Sequence, residues 1–267
     1  MAIFHSTKAW VAGIFWSCAV ALISPVTMAA DRVAQVYPVK DFTEVSVGGN
    51  ALLEVTQDGT EYLRVEATPE VMQRVKVDLS GKRLTLGVKH KGGFFNWFEQ
   101  GNEQVRFILR VKQLTFVELS GAARGRFSDF QEDNFMLHAS GAAGAEFSVL
   151  NAQYFAVQLS GASNLSIGSV NSKQQDFGLS GASNLEIKQP SNVGELKADL
   201  SGASNMRARP LKAGEADVGA SGASHIEISV SELLEADASG ASSIDYYGNP
   251  QAQTDSSGAS HINARGN

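Results

Sequence analysis

The sequence predicts an all-β protein, a single-stranded parallel β-helix (solenoid) with about 20 residues in each coil. The first observation is a tripeptide, Ser-Gly-Ala, that recurs eight times at intervals of 18 to 21 residues. The second is that the residues before and after each copy alternate between apolar and polar, as in a half-buried strand. One repeat is therefore strand, corner, strand and a variable return segment, and each strand is expected to pair with its equivalent one coil away.

Residues 1–30 are expected to form a secretory signal peptide. Lys8 is followed by an apolar run over 9–23 and then by small residues, with cleavage expected after Ala29 or the next residue. The run of about 15 residues is shorter than the ~20 that a membrane-spanning helix needs. A lipoprotein would be acylated at Cys18, but the residues before it fit a lipobox poorly. We therefore expect an exported protein that is periplasmic, on the outer surface or secreted.

Charge and cysteine content exclude several classes of function. The formal charge is −6, and loss of the signal peptide leaves 21 basic against 28 acidic residues, a charge of −7. No nucleic-acid partner is expected from such a chain. The only cysteine lies in the signal peptide, so the mature chain has no disulfide and no thiolate metal site. No second apolar run of membrane length follows, so no membrane span is expected after signal removal.

The Ser-Gly-Ala copies are interpreted as structural corners, because every coil needs a corner whereas a catalytic site is needed once. Glycine allows a turn that other residues resist, and serine can bond backbone groups at the bend. The alanine is expected to point into the crowded corner. The eight serine–glycine pairs are Ser120 and Gly121, Ser140 and Gly141, Ser160 and Gly161, Ser180 and Gly181, Ser201 and Gly202, Ser221 and Gly222, Ser239 and Gly240, and Ser257 and Gly258.

The residues that follow the corners form outward columns. Asn164, Asn184 and Asn205 occupy the same place in three successive coils and are expected to form a hydrogen-bonded ladder. His225 and His261 occupy this place in later coils. We expect surface histidines here and not metal ligands, because a coil with serine lies between them. No metal and no other cofactor is predicted.

Residues 31–118 lack the tripeptide but read as strands. We expect them to form the first coils of the rod that residues 119–267 continue. Asp58-Gly59 predicts a hairpin-like turn, and Pro69 predicts the start of a short helix. Ser80-Gly81-Lys82, 40 residues before the first full tripeptide, is interpreted as an earlier corner.

One insertion in this part is rich in aromatic residues. Phe94, Phe95, Trp97 and Phe98 lie between turn-like residues and are the candidate ligand contacts. An exposed aromatic loop can stack on sugar rings, touch a membrane or bind another subunit. The alternative is a cap that folds over the open end of the first coil.

The chain resembles the bacterial family described as putative autotransporter adhesin, head GIN domain. The resemblance covers roughly residues 40–264 and rests on the start Asp-Phe-Thr-Glu-Val-Ser-Val-Gly-Gly at 41–49, on Arg-Leu-Thr-Leu at 83–86, and on the recurring Ser-Gly-Ala-Ser coil. It implies a right-handed β-helix exported to the envelope and brings no catalytic residues. Because the chain ends at Asn267, directly after the last coil, we do not expect a self-transporting adhesin.

These observations favour a non-enzymatic module for binding or adhesion at the cell envelope, with glycans or other surface polymers as candidate partners. The alternative is a polysaccharide lyase or hydrolase, for which Asp199, Asp237 and Asp255 share one outward column. Neighbouring carboxylates can raise a pKa or hold a cation, but no obvious basic partner accompanies them. A third possibility is a structural subunit that forms a homo-oligomer.

Overall fold

The computed structural model describes residues 32–89 and 104–266, which contain one helix and eighteen strands. The predicted signal peptide lies outside these residues. The helix, α1, spans Pro69–Met72 with proline in its first turn, which confirms the predicted helix start. The strands are β1 Val33–Tyr37, β2 Glu44–Val47, β3 Ala51–Gln57, β4 Tyr62–Ala67, β5 Val75–Ser80, β6 Arg83–Val88, β7 Val105–Val111, β8 Phe116–Leu119, β9 Arg124–Ala139, β10 Gly144–Leu159, β11 Asn164–Leu179, β12 Asn184–Ile187, β13 Ser191–Leu200, β14 Asn205–Ala220, β15 His225–Ala238, β16 Ser243–Tyr247, β17 Gln251–Ser256 and β18 His261–Ala264.

The repeat coils are joined by parallel pairing between each strand and its equivalent one coil away. In β10, Gly144 is in register with Arg124 of β9 and with Asn164 of β11, so each step is 20 residues. The same pairing continues to β18. The result is a β-solenoid of about seven turns with about 20 residues per turn. The solenoid predicted from the sequence is confirmed.

The apolar residues of the alternating strand pattern face the interior of the solenoid. Several of its largest side chains form a phenylalanine cluster in β9 and β10, where Phe127 and Phe147 stack with ring centroids 4.2 Å apart. Phe135 and Phe155 stack beside them at 5.8 Å. Gly125 makes room for this cluster, because a Cβ there would lie 2.7 Å from the Phe127 ring. Small residues thus compensate for large ones within the same coil.

Each corner is a left-handed turn at glycine that stacks on the corner of the preceding coil. The eight corner glycines have φ between +71° and +78°, a region that favours glycine. A Cβ on Gly181 would lie 2.5 Å from the carbonyl oxygen of Gly161 in the neighbouring coil. The N–H of Ala182 donates to that oxygen over 2.7 Å. Both the backbone conformation and the close approach therefore require glycine.

The inward residue of the corner is the fourth one, so the expectation that the alanine points inward is wrong. The corner alanines are exposed, whereas Ser163 and Ser183 are fully buried. The Ser183 hydroxyl donates to the carbonyl oxygen of Ser180 over 2.8 Å, and equivalent bonds recur in the later coils. The reason is that the left-handed turn at the glycine keeps the serine, glycine and alanine outside the core, and the fourth residue is the first to face inward again.

The end of the solenoid before the repeats is assembled out of chain order. Strand β3 lies between β7 and β9 and is parallel to both, and β2 lies likewise between β6 and β8. The coil next to the first repeat is therefore 44–57, with its corner at 48–50. Strands β6 and β7 form the coil outside it, and the antiparallel strands β1, β4 and β5 complete this end.

Two predictions in this region are wrong. Asp58-Gly59 does not join neighbouring strands of a hairpin, because β7 lies between β3 and β4. Ser80-Gly81-Lys82 is not a solenoid corner but the turn of the antiparallel hairpin β5–β6, in which Ser80 is in register with Arg83. A glycine turn has the same sequence signature in a solenoid corner and in a β-hairpin. The two differ only in which strand the following residues pair with.

Glu132 links the end coils to the repeats from a partly buried position. Its Oε1 accepts hydrogen bonds from the Leu114 N–H over 2.8 Å and from the Gln57 side-chain amide over 2.9 Å. Burial raises the pKa of the Glu132 carboxyl, and these two hydrogen bonds oppose the shift only in part. The native state therefore holds a proton on Glu132 more tightly than the unfolded chain does.

We expect Glu132→Gln to be more stable than the wild type at neutral pH. Because the folded pKa is raised, the wild-type free energy of unfolding falls as pH rises from the usual glutamate range through the raised pKa. Glutamine keeps the accepting oxygen and removes this titration. Thermal unfolding from acidic to neutral pH checks the result, with Glu132→Ala as a control that leaves the Leu114 N–H unpaired and destabilises throughout. A stability difference that does not change with pH would contradict the explanation.

Candidate binding surfaces

Residues of β9, β10, β11, β12 and β14 line an open groove of about 580 Å³, the amide groove. Its centre is the predicted ladder, which the structure confirms. Asn184 Nδ2 donates to Asn164 Oδ1 over 3.1 Å, and Asn205 Nδ2 donates to Asn184 Oδ1 over 3.2 Å. The three amides follow one another at the coil spacing of about 4.8 Å. The groove thus presents a regular row of hydrogen-bonding groups.

The amide groove carries charges of both signs. Arg207 lies in register between Glu186 and Glu227 of the neighbouring coils. Charges of opposite sign at this spacing largely cancel at a solvated surface. The lining as a whole has four basic and two acidic side chains, so the groove offers an excess of positive charge beside its hydrogen-bonding amides. The charged lining residues are Arg124, Arg126, Glu146, Glu186, Lys188 and Arg207.

A second amide ladder, which the sequence interpretation missed, lies on another side of the coils. Asn171 Nδ2 donates to Asn151 Oδ1 over 3.3 Å, and Asn192 Nδ2 donates to Asn171 Oδ1 over 3.3 Å. The signal was present as asparagines spaced 20 and 21 residues apart. It lay in the return segment, where no alternation drew attention to it.

The two histidines of the first ladder column are not brought together. His225 Nδ1 lies 2.7 Å from Ser243 Oγ of the next coil, and His261 follows one coil further on. Within residues 32–89 and 104–266, no group of three or more His, Cys, Asp or Glu side chains is placed to hold a metal ion.

The three aspartates of the enzyme alternative lie in one column beside an open groove of about 350 Å³. Gly219 separates Asp199 from Asp237, and Asp255 follows in the next coil. They belong to a wider acidic surface, the acid face. Its columns of in-register residues contain one lysine, Lys197, which lies between Asp176 and Asp217. The residues of the acid face are Asp176, Glu195, Lys197, Asp199, Glu215, Asp217, Glu235, Asp237 and Asp255.

The candidate contacts Phe94, Phe95, Trp97 and Phe98 lie outside the described residues. On the described residues to either side, Leu86 of β6 is in register with Val47, and Val105 of β7 is in register with Ala51.

None of the helices in the described part of the chain is long and apolar enough to cross a membrane. No curated protein matches the sequence.

Solved structures that are similar to this chain include three from Parabacteroides species. A putative adhesin from Parabacteroides merdae has a TM-score of 0.80 at 16% identity, covering 88% of this chain and 97% of its own. A putative lipid binding protein from Parabacteroides distasonis has a TM-score of 0.79 at 16% identity, covering 88% and 97%. A putative adhesin from the same species has a TM-score of 0.77 at 16% identity, covering 88% and 98%. At this identity the likeness shows the fold alone.

The sequence itself matches a family over residues 41–250, from β2 through to the residues before β17. The match takes in both the rearranged end coils and most of the repeat coils. The chain therefore belongs to the family described as putative auto-transporter adhesin, head GIN domain.

Proposed function

We propose that the protein is an exported, non-enzymatic binding module that holds an extended surface polymer along the amide groove. The observation that carries the proposal is the ladder of Asn164, Asn184 and Asn205, repeated at the coil spacing and fixed by in-register pairing. An extended polymer repeats its own hydrogen-bonding groups, so it can meet several amides at once, and each added contact strengthens the others. The adhesin description of the family supports a binding role.

The ladder amides keep capacity for a ligand. Asn184 Oδ1 accepts one hydrogen bond, from Asn205, and an amide oxygen has two lone pairs. Asn164 Oδ1 likewise accepts one bond, from Asn184. Since neighbouring amides hold each other in place, a ligand does not have to order them, which lowers the entropic cost of binding. Hydroxyl-rich polymers such as glycans offer the matching donors and acceptors.

We expect the double variant Asn184→Ala with Asn205→Ala to bind its polymer at least tenfold more weakly. Two lost hydrogen bonds of about 1 kcal/mol each correspond to roughly a 30-fold change, so tenfold is the lower bound. The second ladder supplies a matched control, Asn171→Ala with Asn192→Ala, which removes equivalent amides outside the groove. Binding of the mature protein to a panel of neutral and acidic polysaccharides, measured by calorimetry and by pull-down on insoluble polymer, checks the expectation. Equal losses in the two double variants would contradict it.

The same assay includes a variant in which Phe94, Phe95, Trp97 and Phe98 are all alanine, because we propose these residues as a further contact. A folded variant that loses polymer binding supports adhesion. One that instead loses an oligomer, measured by light scattering, supports the assembly alternative. Release of reducing or unsaturated sugar ends from the polysaccharides would contradict a non-enzymatic role. Asp199, Asp237 and Asp255 would then be the candidate catalytic residues.

A further inference from the structure

An outward column on β8, β9 and β10 is apolar, whereas the outward positions beside it carry hydrogen-bonding side chains. Phe116, Met136 and Ala156 are in register on three successive coils and form the apolar row. Met136 is 42% exposed, and the other two are half-buried. Further along the same column the outward residues are charged, beginning with Asp176 and Lys197. The apolar row is therefore a local feature of these three coils.

Hydrogen-bonding side chains border the apolar row on both sides. Because alternate residues of a strand share a face, the residues two before and two after each member of the row lie beside it. At about 4.8 Å between coils and about 6.7 Å between such residues, the whole array measures roughly 10 by 13 Å. One border consists of Glu118, His138 and Gln158. The other consists of Asn134 and Tyr154 only, because the residue two before Phe116 is the buried Leu114.

The aromatic members of this array are held in place by their neighbours. The guanidinium of Arg83 lies 5.2 Å from the Phe116 ring centroid and is itself paired with Glu44 over 2.8 Å. The His138 ring meets Phe116 edge-on at 5.0 Å. Burial, together with the nearby Asp176, raises the pKa of Tyr154. The phenol hydrogen-bonds to the Asp176 carboxylate, and its oxygen can still accept a hydrogen bond from a ligand. The surface is thus formed before any ligand arrives.

We propose that the apolar row and its two polar borders bind an uncharged pyranose sugar. A pyranose ring has a face of C–H groups and a rim of hydroxyls, which match an apolar centre between two lines of donors and acceptors. An anionic ligand is disfavoured, because Glu118 borders the row and the acid face begins next to it at Asp176. An uncharged sugar uses the apolar centre through its C–H face, which a small cation would not. This site is separate from the amide groove and does not depend on it.

Saturation-transfer NMR with methyl glucoside, methyl mannoside, methyl galactoside and N-acetylglucosamine tests the proposal. We expect transfer to the ring C–H protons of at least one of them, with a Kd at or below about 10 mM. Met136→Glu and Ala156→Glu should each weaken binding at least tenfold by charging the row. Both positions are at least partly exposed, so the fold should be kept, as circular dichroism will show. Tyr154→Phe should weaken binding several-fold while keeping the ring.

Two control variants make the result specific. Asp217→Asn changes the same column further along the solenoid, and Asn184→Ala with Asn205→Ala removes the amide groove ladder. Both should leave sugar binding unchanged, so a failure of the polymer proposal is distinguishable from a failure of this one. The proposal is overturned if no sugar shows transfer, or if glucuronic acid binds more tightly than the uncharged sugars. It is also overturned if Met136→Glu abolishes a dimer instead of sugar binding.

Discussion

Replacing Gly181 with alanine should lower the free energy of unfolding by about 3 kcal/mol. The φ of Gly181 is +78°, where an L side chain costs roughly 1–2 kcal/mol. The new Cβ would also lie 2.5 Å from the Gly161 carbonyl oxygen, which cannot move freely because Ala182 N–H donates to it over 2.7 Å. Relieving the clash therefore breaks a ladder bond worth about 1 kcal/mol.

Gly59→Ala is the matched control for this variant. Gly59 has a φ of +79°, but a Cβ there would meet nothing within 4 Å. It should therefore show the backbone strain alone, roughly 1–2 kcal/mol. Urea unfolding followed by circular dichroism gives both values. If the two variants lose the same stability, close packing between corners contributes nothing and only the left-handed backbone matters.

Phe147→Ala should be the most costly substitution in the core, at about 3–5 kcal/mol. Phe147 is 1% exposed and stacks on Phe127 at 4.2 Å with an interplanar angle of 8°. Its ring centroid also lies 5.6 Å from that of Phe135 and 6.4 Å from that of Phe155. Because the surrounding rings belong to hydrogen-bonded strands, the site cannot collapse around a cavity, and the upper part of the range is expected.

Phe147→Ile is the control, since Ile167 occupies the same column in the next coil. Isoleucine is therefore compatible with the backbone at this place and should cost only roughly 1–2 kcal/mol. Guanidinium unfolding of both variants under the same conditions gives the comparison. An isoleucine variant as unstable as the alanine variant would mean that ring stacking, not filled volume, stabilises this part of the core.

The repeat coils could be predicted from two patterns in the sequence. The interval between repeats gives the length of a coil, and the alternation of apolar and polar residues indicates which face of a strand is buried. A spacing of 20 residues between identical heptapeptides, Leu159–Leu165 and Leu179–Leu185 in the chain, leaves in-register pairing as the simplest arrangement. The alternation does not describe the corner itself, where the left-handed turn keeps Gly161 and its alanine neighbour exposed and returns the chain to the interior at Ser163. The expectation for the alanine was wrong because the sequence pattern does not show how such a turn directs its side chains.

The end coils could not be ordered from the sequence. Alternation tells which face of β3 is buried, but β7 and β9 have the same alternation and both become its neighbours. Pairing between strands distant in the chain is decided by packing of the whole end. The apolar row was missed for a related reason: an outward Met136 is unremarkable until Phe116 and Ala156 are known to lie beside it.

The stacked glycine corners have a consequence for how this chain can change in length. Each corner contacts the corners of the adjacent coils, and intervals of 20, 21 and 18 residues all preserve that stacking. The differences are absorbed in the return segments, as in the register shifts between β14 and β15. Duplication or loss of an entire coil would therefore leave every remaining corner intact, so the rod can lengthen or shorten by whole units during evolution.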